Sequence, residues 1–342
     1  MAESQRVAPP NLLLTGATGF LGRRVLRALL DRGVPPDRLR CLVRDRDRAL
    51  RAGVPGISIF LGDLGEPAAE RQLRVAAAGV DLVLHLAAEL KGWNGAAFAA
   101  VNVDGTGRLL QAIADAAPEA HVVLVSSLAA AGPSLDGSGS AAMPDACRPV
   151  SAYGESKRRA ESLLVAGRLP WTIVRPPVVY GPGDGATRLL FRQACAPVTL
   201  VPWRPRPLSV IHVDDVAEAL LRAVDARPAG AILPLDGTER TDTHTFLRAI
   251  AAASGRHARL LPVPIFVAAL GAAASDAWAA LRRRASYFSR DKVREIRACG
   301  WVADGVPARE LLGFTAATPL AAGLAEVARR EGFLRGITSA TA

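Results

Sequence analysis

Lysine is nearly absent from this sequence. Of 42 basic residues in a chain of 342, only Lys91, Lys157 and Lys292 are lysines, so each invites an explanation. Cysteine is sparse too. Cys41, Cys147, Cys195 and Cys299 stand far apart, without the close pairs that metal and redox motifs need, and a reducing cytoplasm fits them best. Met1–Pro10 lacks the apolar stretch of a secretory signal and reads, like 336–342, as a flexible terminus. Nothing repeats at a fixed period. The net charge of +10 raises nucleic acid as a partner, but the arginines are scattered among Asp and Glu with no basic run and no interleaved aromatics, which argues against it.

What is present is apolar and regular. Hydrophobic residues make up 50% of the chain, too many for a disordered protein. The length calls for one large core with an appended lobe, or for two domains. From Asn11 short apolar runs alternate with longer helical patterns, as parallel β-α-β units do. Asn11–Thr15, Leu39–Val43, Ile57–Leu61, Leu82–Leu86, Val122–Val125 and Thr172–Val174 are the expected strands. Leu21–Leu30, Phe98–Ala116 and Tyr153–Leu164 are helical between them. Strands this apolar must be covered on both faces, so the expected class is α/β, a doubly wound parallel sheet of the Rossmann kind.

After Arg175 prolines crowd in at 176, 177, 182, 197, 202, 205 and 207 and the alternation stops. A strand at Leu208–Val213 and a helix from Asp215 interrupt the change. Helices are then expected at Thr245–Ala253, Ile265–Leu281 and Pro319–Arg330. On this pattern 11–175 and 208–235 form a cofactor domain, and 176–207 and 236–335 a smaller, mostly helical substrate-binding region.

Thr15-Gly16-Ala17-Thr18-Gly19-Phe20-Leu21-Gly22 joins the first strand to the first helix. A dinucleotide needs glycines in such a turn: Gly16 for tightness, Gly19 for approach of backbone amides to the pyrophosphate, and Gly22 for close packing of helix on sheet. The phosphates then sit at the helix N-terminus, against Thr18, Phe20 and Leu21. About 22 residues past Gly22 the second strand ends in Arg44-Asp45. An arginine there pairs with the 2′-phosphate of NADP, so NADP(H) is favoured over NAD(H); the alternative is a solvated Arg44 with Asp45 on the ribose. Asp63, with Leu64 after it, suits the adenine amine, or else caps the next helix. Ala87, in the small-residue end of the fourth strand, lets backbone approach the cofactor ribose. His85 beside it reads as a packed histidine.

Tyr153 and Lys157 lie four apart on one helix face, and an ammonium beside a phenol lowers its pKa toward a useful acid-base. Ser126 and Ser127 come off the end of the fifth strand, where open α/β sheets bind ligands. Ser127 is the expected substrate-orienting hydroxyl, Ser126 a structural one bonded to nearby backbone. His212-Val213-Asp214-Asp215 reads as a buried strand end followed by a carboxylate helix cap, and no metal is expected.

Taken in order, Thr15–Gly22, Ser126-Ser127, Tyr153–Lys157, the run Arg175 to Pro182 and His212–Ala217 resemble the extended short-chain dehydrogenase/reductases over most of the chain. The resemblance implies that Ser127 orients the carbonyl or alcohol, that Tyr153 is the acid-base, and that Lys157 binds the nicotinamide ribose and tunes the tyrosine. It implies a lesser ordering role for Asn102, cofactor contacts at Pro176 and Val178, and a homodimer through the helices that hold Asn102 and Tyr153.

Within that family, dehydratases carry an acidic pair just after the serine, where this chain has Leu128-Ala129-Ala130-Ala131. Sugar-nucleotide epimerases place an asparagine where Val178 stands. Arg175-Pro176-Pro177 and the tail Phe288–Val293 through Pro319-Leu320 are more like the hydroxysteroid dehydrogenase and dihydroflavonol reductase branch. A small apolar ketone or alcohol is therefore the expected substrate, with an epimerase as the alternative and a redox-sensing module without turnover as the non-enzyme alternative. Ile265–Leu281 followed by Arg282-Arg283-Arg284 invites a membrane reading, but it is short for spanning and holds Asp276, so a lid or core helix is expected and membrane-surface attachment is disfavoured.

Overall fold

The computed structural model describes residues 10–51, 57–90, 95–266, 269, 271–273, 275, 290–298 and 300–334. The apolar runs form strands β1 (Leu12–Thr15), β2 (Leu39–Val43), β3 (Ser58–Leu61), β4 (Leu82–His85), β5 (His121–Val125) and β6 (Trp171–Arg175), each within one residue of its expected bounds. Further on come β7 (Val178–Tyr180), β8 (Thr199–Pro202), β9 (Pro207–His212), β10 (Ala231–Pro234), β11 (Arg240–Asp242) and β12 (Leu260–Val263).

Seven strands make one parallel sheet in the order β10-β6-β5-β4-β1-β2-β3. The chain winds outward from β1 through β2 to β3, then returns to lay β4 on the other side of β1. That reversal opens a crevice at the carboxyl ends of β1 and β4, the place where doubly wound sheets bind ligands. Helices α1 (Phe20–Asp31) and α9 (Val213–Ala226) bury Val25, Leu29, Val216 and Leu220 against one face of the sheet. On the other face α3 (Glu70–Ala77), α5 (Thr106–Ala116) and α7 (Ala152–Ala166) bury Leu73, Leu109, Ile113 and Leu164. Both faces are dry, which is why the strands show no polar alternation.

The long helix expected over Phe98–Ala116 is interrupted. Short α4 (Gly95–Phe98) runs into π-helical turns at Ala99–Gly105 before α5 begins, and such wide turns are common at functional sites. The helix of the His212 segment also departs from expectation. The His212 ring, not a carboxylate, caps α9 by accepting from the Asp214 amide, while Asp215 accepts from Ala317 and Thr318 at 3.0 and 3.2 Å, ahead of the last helix, Leu320–Arg330. His212, Asp214 and Glu326 come together, but Arg24 and Arg330 already pair with the two carboxylates.

Beyond the main sheet, α8 (Gly185–Ala194), α10 (Thr243–Ala253) and helix Leu320–Arg330 enclose a third core of Tyr180, Phe191, Phe246 and Leu324. Beside it lie the sheet β11-β9-β7 and the parallel pair β12-β8. Most of Ile265–Leu281, with Arg282–Arg284, Phe288 and Ser289, lies outside the described residues, as do 1–9 and 335–342. Among the described residues no helix is long and apolar enough to cross a membrane.

One ion pair is wholly buried. Arg175 at the end of β6 and Glu161 on α7 have no exposed side-chain surface, and the guanidinium donates to both carboxylate oxygens at 2.9 and 2.6 Å. Its Nη1 donates to the carbonyls of Ser140 and Ala142, each at 2.8 Å, and Nη2 donates also to Cys147 Sγ at 3.4 Å. Strand, helix and the 140–147 loop therefore meet on one cation. Removing one partner leaves a buried charge unpaired, so Glu161→Ala should lose about 3–5 kcal/mol of stability in a urea titration. A loss within the range of an ordinary surface substitution would show that water reaches this pair.

Candidate functional site

The glycine turn is built with no room to spare. Gly16 has a φ of +75°, and a Cβ there would lie 2.7 Å from the Ala87 nitrogen across the crevice. A Cβ on Gly22 would lie 2.0 Å from the Gly16 carbonyl oxygen. Gly22 thus lets the helix close onto its own incoming turn rather than onto the sheet, which revises the role expected for it. Gly19 opens α1 without any side-chain cap, and the first turn of the helix holds no acidic residue. Its free amides and positive dipole end face the crevice, a setting made for an anion. Thr18 is half-buried in the turn, Phe20 begins α1 with its ring reaching toward Gly181, and Leu21 packs on the core.

Around this turn the strand ends supply the rest. Thr15 Oγ1 accepts from the Ala87 amide at 3.1 Å and bonds His85 Nδ1 at 2.7 Å, while His85 Nε2 bonds Thr106 Oγ1 at 3.0 Å. Burial, with the nearby Lys157 ammonium, pushes the His85 pKa down to about 3, so the ring is a neutral spacer. Arg44 is exposed at the end of β2. Asp63 accepts from the Gly65 amide at 2.8 Å, capping its own turn rather than the next helix. Leu64 behind it is buried.

At the ends of β5 and β6 the second half of the site forms. Ser151 caps α7 by accepting from the Gly154 amide at 3.0 Å. A Cβ on Gly154 would lie 2.4 Å from the Ala129 carbonyl oxygen, so this glycine lets α7 press against the turn that begins at Ser127. Tyr153 is thereby brought beside the Ser127 hydroxyl, with Phe98 edge-on to the phenol ring at 5.9 Å between centroids. Lys157 is buried, and its Nζ donates to the Val125 carbonyl at 2.7 Å. Asn102, on the π-helical turns, holds Glu89 by accepting from its amide at 2.7 Å and donating to its carbonyl at 3.0 Å. It also donates to Ser156 Oγ at 2.9 Å, and Ser156 donates to the Tyr153 carbonyl at 2.7 Å.

The electrostatics revise one expectation. Burial pushes the Tyr153 phenol up and the Glu295 charge adds to this, against the downward pull of the Ser127 hydroxyl. Lys157, drawn away to Val125, is itself lowered to about 8 by burial. The phenol is therefore held protonated, not biased toward phenolate. A second expectation also changes: the Ser126 hydroxyl is buried without a hydrogen-bond partner, because the strand-end backbone beside it is already paired, its own amide to Val174.

Pro176 is buried, its carbonyl accepting from the Leu128 amide at 2.9 Å. Val178 lies partly exposed on β7. Two residues have no role in the reading of the sequence. Asp291, on the helix Arg290–Arg297, accepts from the amides of Ala152 at 2.7 Å and Tyr153 at 3.3 Å, so a carboxylate 139 residues away completes the first turn of α7. Glu295, one turn along, holds Lys292 at 2.6 Å. The motif Arg290–Val293 is visible in the sequence, but its use as a cap is not.

With that geometry in place, comparison with known proteins gives three findings. The model of the NAD dependent epimerase/dehydratase family matches residues 12–233. The chain is 36% identical over 322 residues to a ceramide reductase of Caulobacter vibrioides, covering 88% of this chain and 91% of the relative, and 30% identical over 278 residues to a 4-hydroxy-2-methyl-3-oxo-4-farnesyl-3,4-dihydroquinoline-1-oxide ketoreductase of Stigmatella aurantiaca, covering 78% and 80%. Among solved structures, the UDP-glucose 4-epimerase of Thermus thermophilus in complex with NAD superposes with a TM-score of 0.70 at 23% identity, over 93% of this chain and 98% of that one, a likeness of fold.

The Asp291 cap has a measurable consequence. Asp291→Ala removes the acceptor for two helix amides and should cost about 0.5–2 kcal/mol of stability, with a fall in kcat as the Tyr153 turn frays. Asp291→Asn, which keeps an acceptor oxygen, should recover most of both. Unchanged stability and kcat in the alanine variant would mean that the cap is idle.

Proposed function

The chain belongs to the NAD dependent epimerase/dehydratase family and is an NAD(P)-dependent oxidoreductase of the extended short-chain dehydrogenase/reductase type, and we propose that it interconverts a ketone and a secondary alcohol on a largely apolar substrate with Tyr153 as the acid-base. The observation that carries this reading is the placement of Tyr153 beside Ser127, where α7 presses through Gly154 on the turn that follows β5, together with the uncapped, glycine-opened first helix.

The residues fit a dinucleotide. Gly16 and Gly22 leave a cradle that a single Cβ would fill, and Ser126 leaves a buried hydroxyl unsatisfied at the strand ends. On this proposal the turn Gly16–Gly22 with Thr18, Phe20 and Leu21 holds the pyrophosphate. Arg44 takes a 2′-phosphate, and Asp63 with Leu64 takes the adenine. Ala87, Asn102, Lys157, Pro176 and Val178 enclose the nicotinamide half. When bound, the cofactor supplies or accepts the hydride.

The remaining work falls to this chain's own side chains. Ser127 donates to the substrate oxygen and fixes it beside the phenol. Tyr153, held protonated by burial, gives its proton to that oxygen in reduction and recovers it in oxidation. Asn102 keeps the first turn of α7 in register through Ser156. The same proposal includes a cytoplasmic homodimer through the helices that carry Asn102 and Tyr153.

The apolar substrate class has two supports. Val178 offers no polar atom to a nucleotide base, whose buried polar edge would stay unpaired at a cost of roughly 1–3 kcal/mol. The relatives are named for a ceramide and for a farnesylated quinoline oxide. Oxidation of NADPH and NADH, followed in parallel over a panel of bulky ketones, is the direct test. Turnover of a nucleotide sugar with no ketone turned over would replace this reading with an epimerase.

Two variants separate the proposed roles. Tyr153→Phe keeps the ring and removes the proton donor, so turnover should fall about 10²–10⁴-fold while cofactor affinity stays near wild type. Arg44→Ala should weaken NADPH by about 1.5–3 kcal/mol and leave NADH almost unchanged, read by fluorescence titration of each cofactor. Equal losses for the two cofactors would remove Arg44 as the discriminator.

A further inference from the structure

The parallel pair β8–β12 has two unlike faces. Along β8, Thr199 and Val201 are buried against the third core while Leu200 between them is 53% exposed. Leu200 and Leu261 are register partners, and Leu261 is 50% exposed, so two leucines stand side by side on the outer face. Because the strands run parallel, the segments after them emerge at the same end. Trp203 comes just after β8 and Phe266 shortly after β12, at 66% and 63% exposure. Large apolar side chains scattered singly on a surface need no explanation, but here the ladder register groups them.

The two stretches of chain that carry this face hold charge of one sign, with Arg188 paired to Glu331 at the end of the last helix. Between Asp184 and Asp214 the chain has no acidic residue and carries Arg188, Arg192, Arg204 and Arg206; between Asp242 and Asp276 it again has none and carries Arg248, Arg256 and Arg259. Arg204 and Arg259 are exposed and flank the two strands directly. Asp242, the acid at the start of α10, is occupied by the amides of His244 and Thr245. Exposed tryptophan and leucine ringed by arginine match the boundary of an anionic bilayer, where aromatic rings sit at headgroup level and guanidinium groups meet lipid phosphate.

We infer that the outer face of β8 and β12, with Trp203 and Phe266, docks this protein on the surface of an anionic lipid bilayer. The exposed face arises from pairing two strands about 60 residues apart, which no local reading of the sequence reveals. Docking of this kind goes beyond the proposed reaction, and a failure of either is visible without the other.

The test uses the full chain and two kinds of vesicle, phosphatidylcholine alone and phosphatidylcholine with phosphatidylglycerol. The protein should float with the anionic vesicles, remain behind with the neutral ones, and be released by high salt. Arg204→Gln and Arg259→Gln should each weaken vesicle binding about fivefold. Trp203→Ser and Leu261→Ser should also weaken it, with the melting temperature and the turnover of a water-soluble ketone unchanged. No flotation of the wild-type chain, or flotation indifferent to all four variants, would overturn the inference. So would a wild-type dimer in sedimentation that Trp203→Ser dissociates, since the face would then belong to a second copy of the chain.

Discussion

A guanidinium with no exposed surface has to find every hydrogen bond within the protein, and Arg175 finds them in three places at once. Through Glu161 it fixes the middle of α7, and through Ser140, Ala142 and Cys147 it fixes the loop that leads toward that helix. The rotation and height of α7 relative to β6 depend on this one cation. So does the site, because Lys157 lies one turn before Glu161 and Tyr153 one turn earlier still. With the helix set, the lysine stem spans to the end of β5 and the phenol lies beside Ser127. The buried pair serves position more than stability, since a well-packed apolar pair often stabilises a core as well.

At its N-terminal end the same helix is held differently. Ser151 satisfies one orphan amide locally, and Asp291 satisfies two from a helix late in the chain. The turn that bears Tyr153 therefore depends on the docking of Arg290–Arg297. Glu295 on that helix places a negative charge near the phenol and, with burial, keeps it protonated. Packing of the helix Arg290–Arg297 and the protonation state of the tyrosine are thus linked through two carboxylates one helical turn apart. A phenol in this state is a proton donor first, which is the form that meets a carbonyl oxygen.

Much of this was legible in the sequence, for definite physical reasons. Largely apolar runs such as Leu82–Leu86 and Val122–Val125 read as strands because a doubly covered sheet buries both faces of each strand. Gly16 read as a tight turn because only a residue without a Cβ takes that φ so close to Ala87. The hidden part depends on contacts between distant segments. No local pattern tells that Asp215 bonds Ala317, that Asp63 closes its own turn, or that Lys157 spends its ammonium on Val125. The π-helical turns at Ala99–Gly105 escaped for a related reason: one extra residue in a turn shifts the helical period too little to register in a short window.

The division of labour between the two halves has the same origin. In the first half of the chain the tight turn Gly16–Gly22 is made by backbone, so the glycines and strand end that form it are written in consecutive residues. In the second half of the chain, β7, β8, β12 and the helix Arg290–Arg297 find their partners across long stretches of sequence. An apolar pocket selects by shape and area, each methylene contributing only about 1 kcal/mol, so its residues can drift without a recognisable pattern. On the proposed function, a chemistry fixed in type and free in substrate fits this construction, since Ser127, Tyr153 and Lys157 sit at a strand end and on a helix that Arg175 holds through Glu161.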